Sequence, residues 1–235
     1  MLFVRSLIYA GFFYLWSAIV AVAMLPLLLA PRSWMSGPVR AWAGGTIILL
    51  RIICGVRLEV RGRSHLASGA ALIAAKHQCM FDTIAPLMVL GGACYVMRDS
   101  LLKIPFYGWY SVKQGMIPID REGHASALRK MLTTAKARIV EGRQVVIFPE
   151  GSRMAPGSTG QYKPGVAALY RAIGLPCLPL ATNSGIHWPP HGFIRRPGLI
   201  VYEFLEPIPA GLDRTSFMAI LEERLEAAST ALLTL

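Results

Sequence analysis

The first 58 residues of this chain contain no acidic side chain. Glu59 is the first, after five arginines, Arg5, Arg32, Arg40, Arg51 and Arg57. Acid stays scarce throughout, with 13 Asp and Glu against 24 Lys and Arg and a formal net charge of +11. That excess suits an anionic partner: nucleic acid, an anionic membrane surface or a phosphorylated substrate. Nucleic acid is set aside because no stacking or groove-reading motif accompanies the charge. Cysteine is scarce too. Cys54, Cys79, Cys94 and Cys177 show no CxxC spacing, and His65, His124, His187 and His191 form no ligand-spaced cluster with them. A disulfide framework and a zinc site are therefore not expected, and no metal or bound cofactor is implied. Reduced, mostly buried thiols in a cytoplasm-facing domain are the expectation. Internal repeats and low-complexity linkers are lacking as well.

Apolar residues are plentiful. They make up 54% of the chain, and the mean hydropathy is +0.48. Ordinary soluble domains hold roughly 45–50%, so part of this surface is expected to face lipid. Residues 2–30 carry a single charge, Arg5, and are long enough to cross a bilayer. Leu28 and Pro31 around Ala30 fit a cleavage site poorly, so the segment reads as a retained anchor. Pro31 and Pro38 bracket a break, and a second apolar segment over 39–55 holds Arg40 and Arg51. The expectation is a helical pair over 1–55, inserted in or lying along an anionic cytoplasmic leaflet, with a two-span hairpin as the rival and a cytoplasmic domain over 56–235.

Beyond Gly55, Val56-Arg57-Leu58-Glu59-Val60 alternates as a half-exposed strand does. Further strands are expected near 70–76, 93–98, 115–119, 144–148, 176–182 and 199–204. Helices are expected over 82–90, 99–112 in short pieces, 123–141, 164–173 and 214–233. This order predicts an α/β fold with a mixed, mostly parallel sheet flanked by helices.

Such sheets place their sites at the carboxyl ends of strands. The apolar run 70–75 delivers His77 at one such end, and Asp is a preferred N-cap, so a helix is expected to begin near Asp82. On a continuous helix two residues five apart diverge by about 140°. Across a strand-to-helix turn the carboxylate can fold back, making a base and its orienter. The plainer alternative is that Asp82 only caps a helix and His77 is an ordinary half-buried histidine. A second strand end carries Phe148-Pro149-Glu150-Gly151-Ser152-Arg153. Gly151 permits a tight turn with exposed N–H groups, Arg153 offers a fork for phosphate or carboxylate, and Glu150 could orient that arginine or a substrate hydroxyl. A third strand, over 115–119, ends at Asp120-Arg121.

Four blocks in order, His77 to Asp82 as H-x4-D, Gly115 to Arg121 preceded by Leu102-Lys103-Ile104-Pro105-Phe106-Tyr107-Gly108-Trp109, Phe148 to Arg153, and Leu178-Pro179-Leu180-Ala181, span about 75–185. Together they resemble the lysophosphatidate (1-acylglycerol-3-phosphate) type of glycerolipid acyltransferase. The resemblance implies transfer of a fatty acyl group from a thioester of coenzyme A or acyl carrier protein to the free hydroxyl of a lysophospholipid. It implies His77 as base, Asp82 as orienter, Arg121, Arg153, Gly151 and Arg98 at the acceptor phosphate, Glu150 arranging the loop, and Pro179 and its neighbours as walls of an acyl channel. Cys79 stands where such proteins often have serine, and Arg98 where a lysine is common. Other acceptors keep the same chemistry: glycerol 3-phosphate, an acylated ornithine lipid or another lysolipid. A non-catalytic lipid-binding module is the alternative from a different class. Cys79, two residues from His77, is also weighed as a nucleophile, though neighbours along a turn align badly for proton transfer.

Overall fold

The computed structural model describes residues 1–66, 68–120 and 123–234. Arg121, expected at the third strand end, lies outside them. Two apolar helices open the chain, α1 (Leu2–Ala23) and α2 (Ser36–Cys54), joined through short 3-10 turns at Leu25–Leu28 and Arg32–Met35. Helix α2 starts at Ser36, inside the expected break and ahead of the expected 39, and runs through Pro38. A proline in the first turn costs little, since the N–H it lacks would have no helical partner there. The run Arg32–Cys54, like Leu2–Ala23, has the length and composition of a bilayer-crossing helix.

The strands are β1 (Val56–Arg61), β2 (Ala71–Ala75), β3 (Ala93–Arg98), β4 (Ile117–Ile119), β5 (Gln144–Ile147), β6 (Cys177–Thr182) and β7 (Gly198–Phe204). They form one mixed sheet in the order β1-β7-β6-β2-β5-β3-β4. β6, β2, β5, β3 and β4 run parallel, while β7 is antiparallel to β6 and carries β1 beside it. The remaining helices are α3 (Ala85–Val89), α4 (Tyr107–Gln114), α5 (His124–Val140), α6 (Gly165–Ile173), α7 (Ser184–His187) and α8 (Arg214–Ala231). The parallel order has a direct consequence: the carboxyl ends of β2, β5 and β3 lie along one edge, which gathers His77, the 148–153 loop and Arg98 there.

Strand β2 shows why the sheet has helices on both faces. All five of its residues are buried, and its side chains alternate between two apolar clusters. Ala71, Ile73 and Ala75 pack with Tyr9, Ala43, Ile47 and Leu50 from the N-terminal pair and with Phe81 and Ile84. Leu72 and Ala74 pack with Met131, Val166, Leu169, Phe217 and Leu221 from α5, α6 and α8. The first cluster joins the N-terminal helices to the α/β domain: Tyr9 meets Trp188 edge to face, with ring centroids 5.8 Å apart. Pro179 stands inside β6, opposite Ala74 of β2.

Candidate active site

β2 leaves the sheet at Ala75, and residues 76–79 lead into a 3-10 turn over Met80–Thr83. The N-cap of that turn is Cys79, not Asp82, and α3 begins only at Ala85. Asp82 is spent backward instead. Its Oδ2 accepts the N–H groups of Gln78 at 2.6 Å and Cys79 at 2.8 Å. Cys79 answers by accepting the Asp82 N–H on its sulfur, a reciprocal cap in which each residue satisfies the other's orphan donor. Folding back in this way brings Asp82 Oδ2 to 3.2 Å from His77 Nδ1. An ionised carboxylate only accepts, so Nδ1 carries the proton and Nε2 of the neutral ring is left as a base.

Two residues that the sequence did not single out complete the carboxylate's surroundings. Ser184 Oγ and Tyr202 OH each donate to Asp82 Oδ1 at 2.6 Å. Burial alone would push the Asp82 carboxyl up, but the bond and charge of His77 and these two hydroxyls outweigh it, so it sits below its ordinary value. Asp82 thus stays ionised although its side chain is 0% exposed, while the His77 side chain keeps 13% exposure. Cys79 is fully buried, and its thiol donates to Ser184 Oγ at 3.4 Å. Burial, with the nearby Asp82 charge, pushes that thiol well above its ordinary value, so it remains S–H and a poor nucleophile. Gln78 Oε1 accepts the Gly185 N–H at 2.8 Å, which ties the turn to α7.

The second loop closes on the first. Phe148, at the end of β5, stacks on the His77 ring with centroids 4.1 Å apart, and Tyr95 of β3 stacks behind Phe148 at 6.0 Å. Met154 donates its N–H to the His77 carbonyl at 2.8 Å, so Arg153 is one residue from a direct bond to the histidine backbone. Gly151 turns the chain with φ +67°, a left-handed conformation that glycine adopts without Cβ strain. Arg153 and Arg98 are both exposed. One Arg153 nitrogen is bonded to the Pro190 carbonyl at 3.1 Å.

Glu150 lies elsewhere than a substrate contact would require. It is 2% exposed, and Oε1 accepts from Lys76 Nζ at 2.7 Å and from the Gly160 N–H at 2.9 Å. Its cationic partner is thus Lys76 and not Arg153, because a carboxylate at a buried strand end has to be matched by a cation and donors at that depth. Lys76, also buried, is shared with Glu226 of α8, whose two oxygens lie 2.7 and 2.8 Å from Nζ. Glu226 in turn accepts from Thr159 Oγ1 at 3.0 Å and Tyr162 OH at 2.8 Å. The loop that carries Gly151 and Arg153 is therefore stapled underneath by a buried network. Burial pushes Glu150 up more strongly than its donors pull it down, and the Glu226 charge adds to the rise.

Comparison with known proteins adds an independent line. A sequence model of the family described as Acyltransferase matches residues 57–183. A Pseudomonas aeruginosa protein curated as 1-acyl-sn-glycerol-3-phosphate acyltransferase is 33% identical over 189 residues, covering 80% of this chain and 74% of that protein. The human 1-acyl-sn-glycerol-3-phosphate acyltransferase alpha is 29% identical over 140 residues, 59% of this chain and half of the human protein. In fold, the crystal structure of the Thermotoga maritima 1-acyl-sn-glycerophosphate (LPA) acyltransferase PlsC superimposes with a TM-score of 0.79 over 99% of each chain, at 20% identity. His77, Asp82, Glu150, Gly151 and Arg153 fall inside the matched residues, whereas Ser184, Tyr202 and Glu226 fall outside them.

Proposed function

Since the chain belongs to the Acyltransferase family, whose sequence model covers residues 57–183, we propose that it moves a fatty acyl group from an acyl thioester to the free hydroxyl of lysophosphatidic acid, yielding phosphatidic acid. The observation that carries this reading is the His77–Asp82 pair, 3.2 Å apart at the end of β2, beside an exposed arginine on the neighbouring strand end.

An aliphatic hydroxyl is almost wholly protonated at neutral pH, so attack on the thioester carbonyl needs a base at the oxygen. His77 Nε2 takes that proton as the C–O bond forms, and Asp82 holds the ring and stabilises the imidazolium. Collapse of the tetrahedral species breaks the C–S bond, and the imidazolium returns the proton to the departing thiolate. Atoms balance without an acyl-enzyme. Arg153, Arg98 and Arg121 bind the acceptor phosphate, with the Gly151 backbone beside them, while Glu150 acts from below through Lys76 and Gly160. The donor is acyl-coenzyme A or acyl-acyl carrier protein, and no bound cofactor takes part. The apolar N-terminal helices seat the enzyme on the cytoplasmic leaflet of a membrane, where the acceptor's tail resides and where the purely cationic arginines of that segment meet anionic headgroups.

The test is purified protein in detergent with each thioester donor, assayed against lysophosphatidic acid, other lysolipids and glycerol 3-phosphate. Thioester consumption that depends on lysophosphatidic acid supports the reading, and preference for another acceptor redirects it. His77→Ala or Asp82→Ala, folded, should lower the rate by about 100-fold or more. Full activity of either variant would sink the mechanism.

A further inference from the structure

Helix α4 is built inside out. A surface helix in water turns an apolar stripe inward and a polar face outward. In α4 the inward residues at i, i+3 and i+6 are Gly108, Ser111 and Gln114, all buried. The outward residues are Trp109 and Val112, 50% and 60% exposed and three apart on one face. The turn that leads into the helix continues the pattern, with Ile104 47% and Phe106 38% exposed. Among the described residues Phe106 alone, glycines aside, has a positive φ, at +61°, a backbone state that costs energy in a side chain of this size. Lys103 and Lys113 flank the apolar residues.

The face joins that of the N-terminal pair. Tyr110 OH donates to the Ala21 carbonyl at 2.5 Å, Lys113 Nζ to the Leu28 carbonyl at 2.8 Å, and Arg32 Nε to the Lys113 carbonyl at 3.2 Å. Beside α4 the connecting turns expose Leu29 at 94% and Trp34 at 62%. At its other end a 3-10 turn over Asp99–Lys103 links the segment to β3, whose last residue, Arg98, stands on the active-site edge of the sheet. Aromatic residues with flanking cations are what the headgroup boundary of a bilayer selects.

We infer that residues 104–112 form a third membrane-contacting element, lying in the plane of the lipid surface and holding the active-site edge against it. The occupant of this face is a lipid surface because it is continuous with two helices that have the length and composition to enter one, and because its rim is cationic where a protein-facing helix would need complementary acids. The inference rests on the seating of the N-terminal pair in a membrane, and the experiment separates the two.

All four native cysteines are buried and free, so a cysteine placed on the surface takes a thiol-reactive fluorophore selectively. Full-length Val112→Cys, Val22→Cys on α1 and Glu223→Cys on α8, labelled in this way, are mixed with phosphatidylcholine vesicles containing phosphatidylglycerol and a lipid-attached quencher. The Val112 and Val22 probes are expected to be quenched and the Glu223 probe to stay bright. A bright Val112 probe beside a quenched Val22 probe overturns the inference alone. Both probes bright overturns the membrane seat with it. Val112 signals that change equally without vesicles, together with a dimer mass in detergent, place a second copy on this face and also overturn the inference. Ile104→Ser/Trp109→Ser/Val112→Ser, which alters exposed side chains only, should bind these vesicles about tenfold more weakly or worse than the parent; equal binding counts against the proposal.

Discussion

Tyr202 lies 120 residues beyond Asp82 in the chain and donates its hydroxyl to Asp82 Oδ1 at 2.6 Å. Ser184 donates to the same oxygen, while Gln78, Cys79 and His77 meet Oδ2, so the carboxylate is held at both oxygens by neighbours from both halves of the domain. Tyr202→Phe removes one charge-assisted hydrogen bond without opening a cavity. Activity should fall about 10- to 150-fold, with folding intact by circular dichroism, because such a bond is worth roughly 1.5–3 kcal/mol. Ser184→Ala should behave alike, and the double variant should lose more than either alone. Unchanged turnover in the double variant would show that Asp82 needs neither hydroxyl.

The pH dependence of stability follows from the same carboxylate. Its folded value lies below the ordinary 3.8, so it contributes stability above pH ~4 that is lost as pH falls through the folded value. Denaturant unfolding of wild type and Asp82→Asn should therefore show a constant gap at neutral and mildly acidic pH, and one that narrows below pH ~4. A gap that widened on acidification would have the wrong sign.

Cys79 offers a sharp test of the reaction path. Buried, protonated and bonded to Ser184, it has no route to a substrate carbonyl. Cys79→Ser should keep activity of the wild-type order, with no acyl-protein adduct by mass spectrometry after mixing with the thioester. An adduct on Cys79, or a dead Cys79→Ser beside an active His77→Ala, would overturn direct attack.

The buried Lys76 cation is flanked by Glu150 and Glu226, and removing it alone leaves two carboxylates facing each other. Lys76→Met should cost about 3–5 kcal/mol of unfolding free energy, the range for breaking a buried ion pair from one side. Lys76→Met/Glu150→Gln/Glu226→Leu should recover part of that loss, because no charge is then left uncompensated. Urea melts of the purified variants decide the matter.

A steric prediction concerns Gly108. A Cβ at this position would lie 1.9 Å from the Leu102 carbonyl oxygen, an impossible contact unless backbone moves. Gly108→Ala should destabilise by about 1–3 kcal/mol, as overpacking does, and lower the melting temperature accordingly.

Much of this molecule was legible in one dimension. The runs 70–75 and 145–148 are apolar throughout because their strands are covered on both faces, and the observed strands, Ala71–Ala75 and Gln144–Ile147, end within a residue or so of the expected 70–76 and 144–148. The expected helix over 82–90 instead divides into a 3-10 turn and the short α3, since Asp82 turns its carboxylate back on Gln78 and Cys79 rather than capping a helix ahead of it. His77 and Asp82 could be paired from their spacing because they share one turn. Polar residues at the end of an apolar strand, Asn183 and Ser184 after β6, were a signal that could have drawn attention to Ser184. Tyr202 inside an apolar strand and Glu226 on an ordinary amphipathic helix offered none.

Local order and periodicity thus settled the α/β class and the apolar N-terminal pair, and set His77 and Asp82 close enough along one turn to meet, all of which depend on neighbours a few residues apart. Partners across 102, 120 and 150 residues depend on which strands and helices meet. Folding therefore assigned Ser184 and Tyr202 to Asp82 and Glu226 to Lys76, drew Glu150 away from the surface into a buried ion network, and turned the apolar side of α4 outward. Each is a question of which side chain meets which across space, and no period along the chain encodes it.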